Sequence, residues 1–232
     1  MIKLQFKQLS EGAVFVVVSD TINEQAQQLI QHYIVQLKQK PFPGLLEIVP
    51  SYTNFCVYYD PILVTKSLKT PFTKTSAEKV KQYIEELLTT VDITTDHNTR
   101  VIEIPVHYGG VEGPDLQYVA EVNGLTPEEV IAIHTSKEYI VYMLGFAPGF
   151  PFLGGLDKRI TTPRRTSPRL EIVAGSVGIA GEQTGIYPLA TPGGWQIIGR
   201  TTLPLFLPDE TPPTLLRAGD RIKFIAVKEV SS

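Results

Sequence analysis

The chain has 232 residues, 43% of them hydrophobic, and a formal charge of −3. That length allows one large domain or two small ones with a proper core, and the charge gives no general attraction to nucleic acid or to an anionic membrane. The single Cys56, set in the apolar alternation "TNFCVYYD", excludes an internal disulfide and a cysteine metal knuckle and reads as a packed core thiol.

The opening "MIKLQFKQLSEG" alternates polar and apolar residues and is broken by Lys3 and Lys7. It reads as a first strand rather than the apolar core of a secretory signal. No run approaches the roughly 20 apolar residues that span a bilayer, so a cytoplasmic location is expected. "AVFVVVS" follows as a second strand across the "SEG" turn. "INEQAQQLIQHYIVQLKQK" then places Ile22, Ala26, Leu29, Ile30, Tyr33 and Leu37 at helical spacing, with Asp20 or Thr21 as cap. His32, among polar neighbours, reads as solvated. "FPG" stops the helix, "LLEIVPSY" and "TNFCVYYD" read as strands, and "TSAEKVKQYIEELLTTV" reads as a helix led by Thr75 or Ser76. This β-α-β-β-α rhythm predicts a ferredoxin-like α+β domain over residues 1–91. The polar, turn-rich "VDITTDHNTR", with a solvated His97, reads as a linker.

Beyond it, "RVIEIPVHYGG" is a strand, with His107 and Asp115 bracketing the turn that follows. Asp115 is expected to cap the short helix in "GPDLQYVAEVNG". A second helix, in "LTPEEVIAIHTS", has Thr126 as cap, Pro127 at its first position and Glu129 three residues after the cap. "KEYIVYMLGF" is a buried strand that runs into "MLGFAPGFPFLGGLD". After residue 160 helical periodicity disappears, and runs such as "LEIVAGSVGIA", "WQIIGR" and "DRIKFIAV" alternate with Pro and Gly turns. A closed or nearly closed β-structure is expected over residues 92–232.

Common catalytic signatures fail here on the residues that do the chemistry. Gly149 and Gly154 have phosphate-loop spacing, but Gly155 and Leu156 stand where Lys and Ser or Thr are needed. There is no G-x-S-x-G elbow, and the four His lie singly, with no zinc spacing. No catalytic residue and no metal site is assigned. What remains is a constellation. Arg164, Arg165, Arg169 and Arg200 supply cationic forks suited to carboxylate or phosphoryl oxygens, and Glu182, Gln183 and Tyr187 add polar groups to a glycine-rich frame. Arg164, Arg169, His134, Glu182, Gln183 and Tyr187 are therefore candidates for binding a small anion. Phe146, Pro148, Gly149, Phe150, Phe152 and Trp195 are candidates for a site wall or a partner seam. Each has a plainer reading as well: solvated arginines, a core indole, a satisfied histidine at a helix end.

The strings "YMLGFAPGFPFLGGLD", "TPRRTSPRLEIVAGSVGIAGEQTGIYPLATPGGWQIIGRT" and "LLRAGDRIKFI" resemble, across essentially the whole chain, the family of the 5-oxoprolinase B subunit, KipI and the allophanate hydrolase subunit 1-like proteins. The resemblance implies an N-terminal α+β domain followed by a cyclophilin-like β-barrel. For one branch it implies a hydrolase subunit that works with the A and C subunits of 5-oxoprolinase to open 5-oxo-L-proline to L-glutamate. ATP would be the co-substrate of that complex, and this chain alone would be inactive. For the other branch it implies an inhibitor of a sporulation histidine kinase. The enzyme subunit is the expectation preferred here, because opening an unstrained lactam with ATP needs the carboxylate and phosphoryl recognition that an arginine-rich segment can supply.

Overall fold

The computed structural model describes residues 4–68, 74–89 and 100–227. The chain divides into two compact units, Met1–Asn98 and Thr99–Ser232. The expected linker, with His97, lies outside the described residues apart from Arg100.

The first unit runs β1 (Gln5–Ser10), β2 (Ala13–Val17), α1 (Glu24–Gln39), β3 (Leu45–Pro50), β4 (Asn54–Tyr59), α2 (Pro61–Ser67) and α3 (Ser76–Thr89). Its sheet has the order β1-β2-β4-β3, antiparallel throughout. The β2-α1-β3 crossover leaves room for β4 between its strands, which is the split βαβ of ferredoxin-like units. The edge place that a last strand would fill is taken by β1. Val14, Val16 and Val18 alternate into the core, where Leu29, Ile30, Tyr33, Ile34 and Leu37 of α1 meet them.

Three local expectations are corrected. Asn23, not Asp20 or Thr21, caps α1: its Oδ1 accepts from the Ala26 amide at 2.8 Å, which leaves Ile22 outside the helix and exposed. His32 is buried beside Tyr33, because three residues past Leu29 it still falls on the apolar stripe. The short helix α2 had no counterpart in the expected rhythm, although its start is marked by Asp60, whose Oδ1 accepts from the Ile62 and Leu63 amides, and by Pro61 at the first position. Thr75 does lead α3, exchanging hydrogen bonds with Glu78, and Cys56 is buried.

The second unit runs β5 (Val101–Tyr108), α4 (Leu116–Asn123), α5 (Pro127–Thr135), β6 (Glu138–Leu144), β7 (Pro151–Gly154), β8 (Arg169–Ile172), β9 (Ser176–Ala180), β10 (Gln183–Ile186), β11 (Thr191–Gly193), β12 (Gln196–Arg200) and β13 (Arg221–Ala226). Seven strands close a barrel in the order β10-β7-β6-β13-β5-β12-β9, while β8 and β11 form a separate two-stranded ribbon. The first and last strands, β5 and β13, pair in parallel, and the other barrel pairs are antiparallel. Closure removes the exposed sheet edges. Thr126 and Glu129 form the expected reciprocal cap at the start of α5. The barrel core joins Ile104, Val141, Val177 and Phe224 of the strands to Val119 and Val130 of the helices. No described helix is long and apolar enough to cross a membrane.

Candidate functional site

The turn between β6 and β7 carries Gly145 to Phe150. It is tied by the Gly145 amide to the Phe150 carbonyl at 3.1 Å and by the Phe150 amide to the Ala147 carbonyl at 3.0 Å. Phe146 sits there at φ 69°, a left-handed conformation that costs a non-glycine residue about 1 kcal/mol or more. It is 68% exposed, and its ring stands edge-on to Phe150 at 5.4 Å and to Tyr187 at 6.4 Å. The backbone strain holds an aromatic ring at a surface.

Below it lies a cavity of about 310 Å³ lined by Phe146, Phe150, Phe152, Tyr187 and Trp195, together with Arg164, Pro168, Pro192, Gly193 and Gly194. Phe150, only 2% exposed, is the hub of this aromatic cluster. Its ring lies nearly perpendicular to Trp195 at 5.6 Å and to Tyr187 at 5.3 Å, the edge-to-face arrangement that aromatic quadrupoles favour. Gly185 permits that meeting. A Cβ there would sit 3.1 Å from both the Phe150 and the Trp195 rings and 3.2 Å from the Pro151 carbonyl. Phe150 is therefore packed in the core and also lines the cavity, while Phe146 and Phe152, which line it too, are less buried. Trp195 is both a buried indole and a lining residue. Burial pushes the Tyr187 phenol up to about 12, with Arg164 and the Trp195 backbone pulling it back only in part. At neutral pH it is a protonated hydroxyl.

The arginines divide by role. Asp115 is 5% exposed and does not cap α4 as expected. Its carboxylate instead accepts from both terminal guanidinium nitrogens of Arg169 at 2.8 Å, from Arg165 at 3.0 Å and from the Ile197 amide at 2.7 Å. That corrects the expectation for Arg169: its fork is committed to an internal carboxylate. The same loop is also held by the Arg165 amide to the Gly194 carbonyl at 2.8 Å and by Gln196 to the Pro163 carbonyl at 2.9 Å. Arg164 lies between these tethers. It is exposed at the cavity and, among the described residues, makes no hydrogen bond or ion pair. Two fixed neighbours present one uncommitted cation.

His134 is also removed from the candidate set. It is fully buried, stacked on Phe224 with ring centroids 4.4 Å apart. Thr184 donates its hydroxyl to the Gly178 carbonyl at 3.0 Å, so at 3.0 Å it accepts from His134 Nε2–H, and Nδ1 accepts from the Tyr108 hydroxyl at 2.7 Å. Both ring nitrogens are satisfied by a neutral imidazole, and burial lowers its pKa to about 3. It is a core residue.

Glu182 lies in the turn between β9 and β10 and Gln183 opens β10; neither is among the residues lining the cavity. Pro148 is exposed on the β6–β7 turn. Gly149, at φ 80°, lets that turn pack on the Leu205 carbonyl, and neither residue lines the cavity. Arg200 borders a smaller groove of about 160 Å³ with Glu112 and Arg169. Sequence reasoning missed Pro168, Pro192, Gly193 and Gly194 as lining residues, although their Pro and Gly content marked them as turns.

A family model described as "Carboxyltransferase domain, subdomain C and D" matches residues 4–216. The chain is 51% identical to the 5-oxoprolinase B subunit of Bacillus subtilis (strain 168), across 98% of this chain and 95% of that protein. Among solved structures, TTHA0988 matches with a TM-score of 0.78 and 34% identity over 95% of this chain, which spans 41% of that longer one. The Kluyveromyces lactis urea carboxylase, at 18% identity and a TM-score of 0.74 over 97% of this chain and 22% of that one, shares the fold. With a family model covering most of its length and a full-length relative at half identity, the chain belongs to the carboxyltransferase subdomain C and D family, in the group that includes the B subunits of 5-oxoprolinase.

Proposed function

We propose that this chain is a subunit of an ATP-dependent 5-oxoprolinase, which opens 5-oxo-L-proline to L-glutamate together with the A and C subunits. The observation that carries the reading is the aromatic cavity with Arg164 at its rim. It suits a small molecule with an apolar body and one negative charge, which is the chemistry of a lactam acid.

The same lining argues for a division of labour. Among the described residues the lining offers no carboxylate or histidine to take up a proton, and burial pushes the Tyr187 phenol up to about 12. This cavity therefore binds and orients, and the base that activates water comes from another subunit. ATP enters as co-substrate of the complex, making the lactam carbonyl a better electrophile by phosphoryl transfer. The purified A and C subunits should release glutamate from 5-oxoproline and ATP only when this chain is added, and the chain alone should release none. Glutamate release by the single chain, or full activity of the other two subunits without it, would overturn the proposal.

A further inference from the structure

The cavity constrains its ligand beyond class. Its size admits a compact ring, while a nucleoside triphosphate carries several negative charges against the one cation that its lining has among the described residues. The Phe150 and Trp195 rings, nearly perpendicular to each other, both line it and give it aromatic surface for an apolar ring. Tyr187 keeps its proton at neutral pH and can donate to an amide carbonyl. Resting on the enzyme reading above, we infer that this chain is the subunit that binds the lactam. It holds 5-oxo-L-proline by itself, with the ring against Phe150 and Trp195, the carboxylate on Arg164 and the ring carbonyl within reach of the Tyr187 hydroxyl. The arrangement also favours product loss. Ring opening turns a compact monoanion into an extended molecule with a second carboxylate and an ammonium, and among the described residues the lining has one cation for two carboxylates.

Trp195 is the only tryptophan of the chain and lies on the cavity wall, so its emission reports occupancy. The isolated chain is titrated with 5-oxo-L-proline, with 2-pyrrolidone, which has the ring without the carboxylate, and with L-glutamate, and calorimetry is read alongside. Saturable binding of 5-oxo-L-proline is expected, with about tenfold or greater weakening for both comparators and for Arg164→Gln at unchanged thermal stability. Equal affinity for 2-pyrrolidone, equal affinity in Arg164→Gln, or no saturable signal by either method up to roughly 10 mM would overturn the inference. An active three-subunit complex whose isolated subunit binds nothing sinks this inference and leaves the enzyme reading standing. Binding by the chain with no turnover in the complex sinks the enzyme reading and leaves the subsite.

Discussion

Replacing Asp115 by Ala should destabilise the barrel unit by about 3 kcal/mol or more, the cost of stranding partners of a buried carboxylate. The side chain is almost wholly enclosed and accepts four hydrogen bonds, from Arg165, from Nη1 and Nη2 of Arg169 and from the Ile197 amide. Removing it leaves two guanidinium groups facing each other and a buried N–H without an acceptor, each of which carries its own desolvation penalty. The arginines are partly solvated, at 35% and 26% side-chain exposure, which keeps the effect toward the lower end of the range for buried pairs. Thermal unfolding should show a fall in Tm on the order of 10 °C. The more exposed pair of Arg200 with Glu112, at 3.3 Å, is the internal control: Glu112→Ala should cost less than about 1 kcal/mol. Equal effects of the two substitutions would mean that Asp115 does not organise the loop that presents Arg164.

Acid should weaken the barrel unit through His134. Burial holds its folded-state pKa at about 3, while the same group in the unfolded chain has a pKa of about 6.5. Between those values the unfolded state binds more protons, so the contribution of this group is complete above about pH 6.5 and is lost as the pH falls toward 3. The full difference is worth about 5 kcal/mol, and roughly 3 kcal/mol of it is gone by pH 4. Other groups titrate over the same range, so the informative comparison is with His134→Gln, whose amide can still accept from Tyr108 and donate to Thr184. Urea midpoints at pH 7 and pH 4 should fall further for the native chain than for the variant. Identical pH slopes would place the acid sensitivity elsewhere.

What could be read in the sequence follows from the range of the physics involved. The helices α1, α3 and α5 announce themselves through an apolar stripe or a local cap, interactions spanning three or four residues. Strands β7, β10 and β11 have only three or four residues each and include glycine, too little for an alternating pattern to show. The aromatic and cationic content of the site was legible as composition. The assignment of roles was not, because it turns on contacts between distant positions: Asp115 reaches Arg169 across 54 residues and His134 reaches Thr184 across 50. An arginine committed to a buried carboxylate and one left for a ligand look alike in "TPRRTSPRL". His32 shows the same limit, since its polar neighbours concealed its place on the buried face of α1.

Whether the cation at the aromatic cavity serves the reaction is tested most directly by the kinetics of Arg164 variants in the assembled complex. Arg164 is exposed and, among the described residues, supports no internal hydrogen bond or ion pair, so its substitution should leave folding and assembly intact. Loss of a charge-assisted contact to substrate is worth roughly 1.5–3 kcal/mol, or about tenfold to over a hundredfold in kcat/KM for 5-oxoproline. Arg164→Gln should show that loss, and Arg164→Lys should recover part of it, because a point charge replaces a fork. Wild-type kcat/KM in a complex that assembles normally with Arg164→Gln would contradict a role for this cation in the reaction.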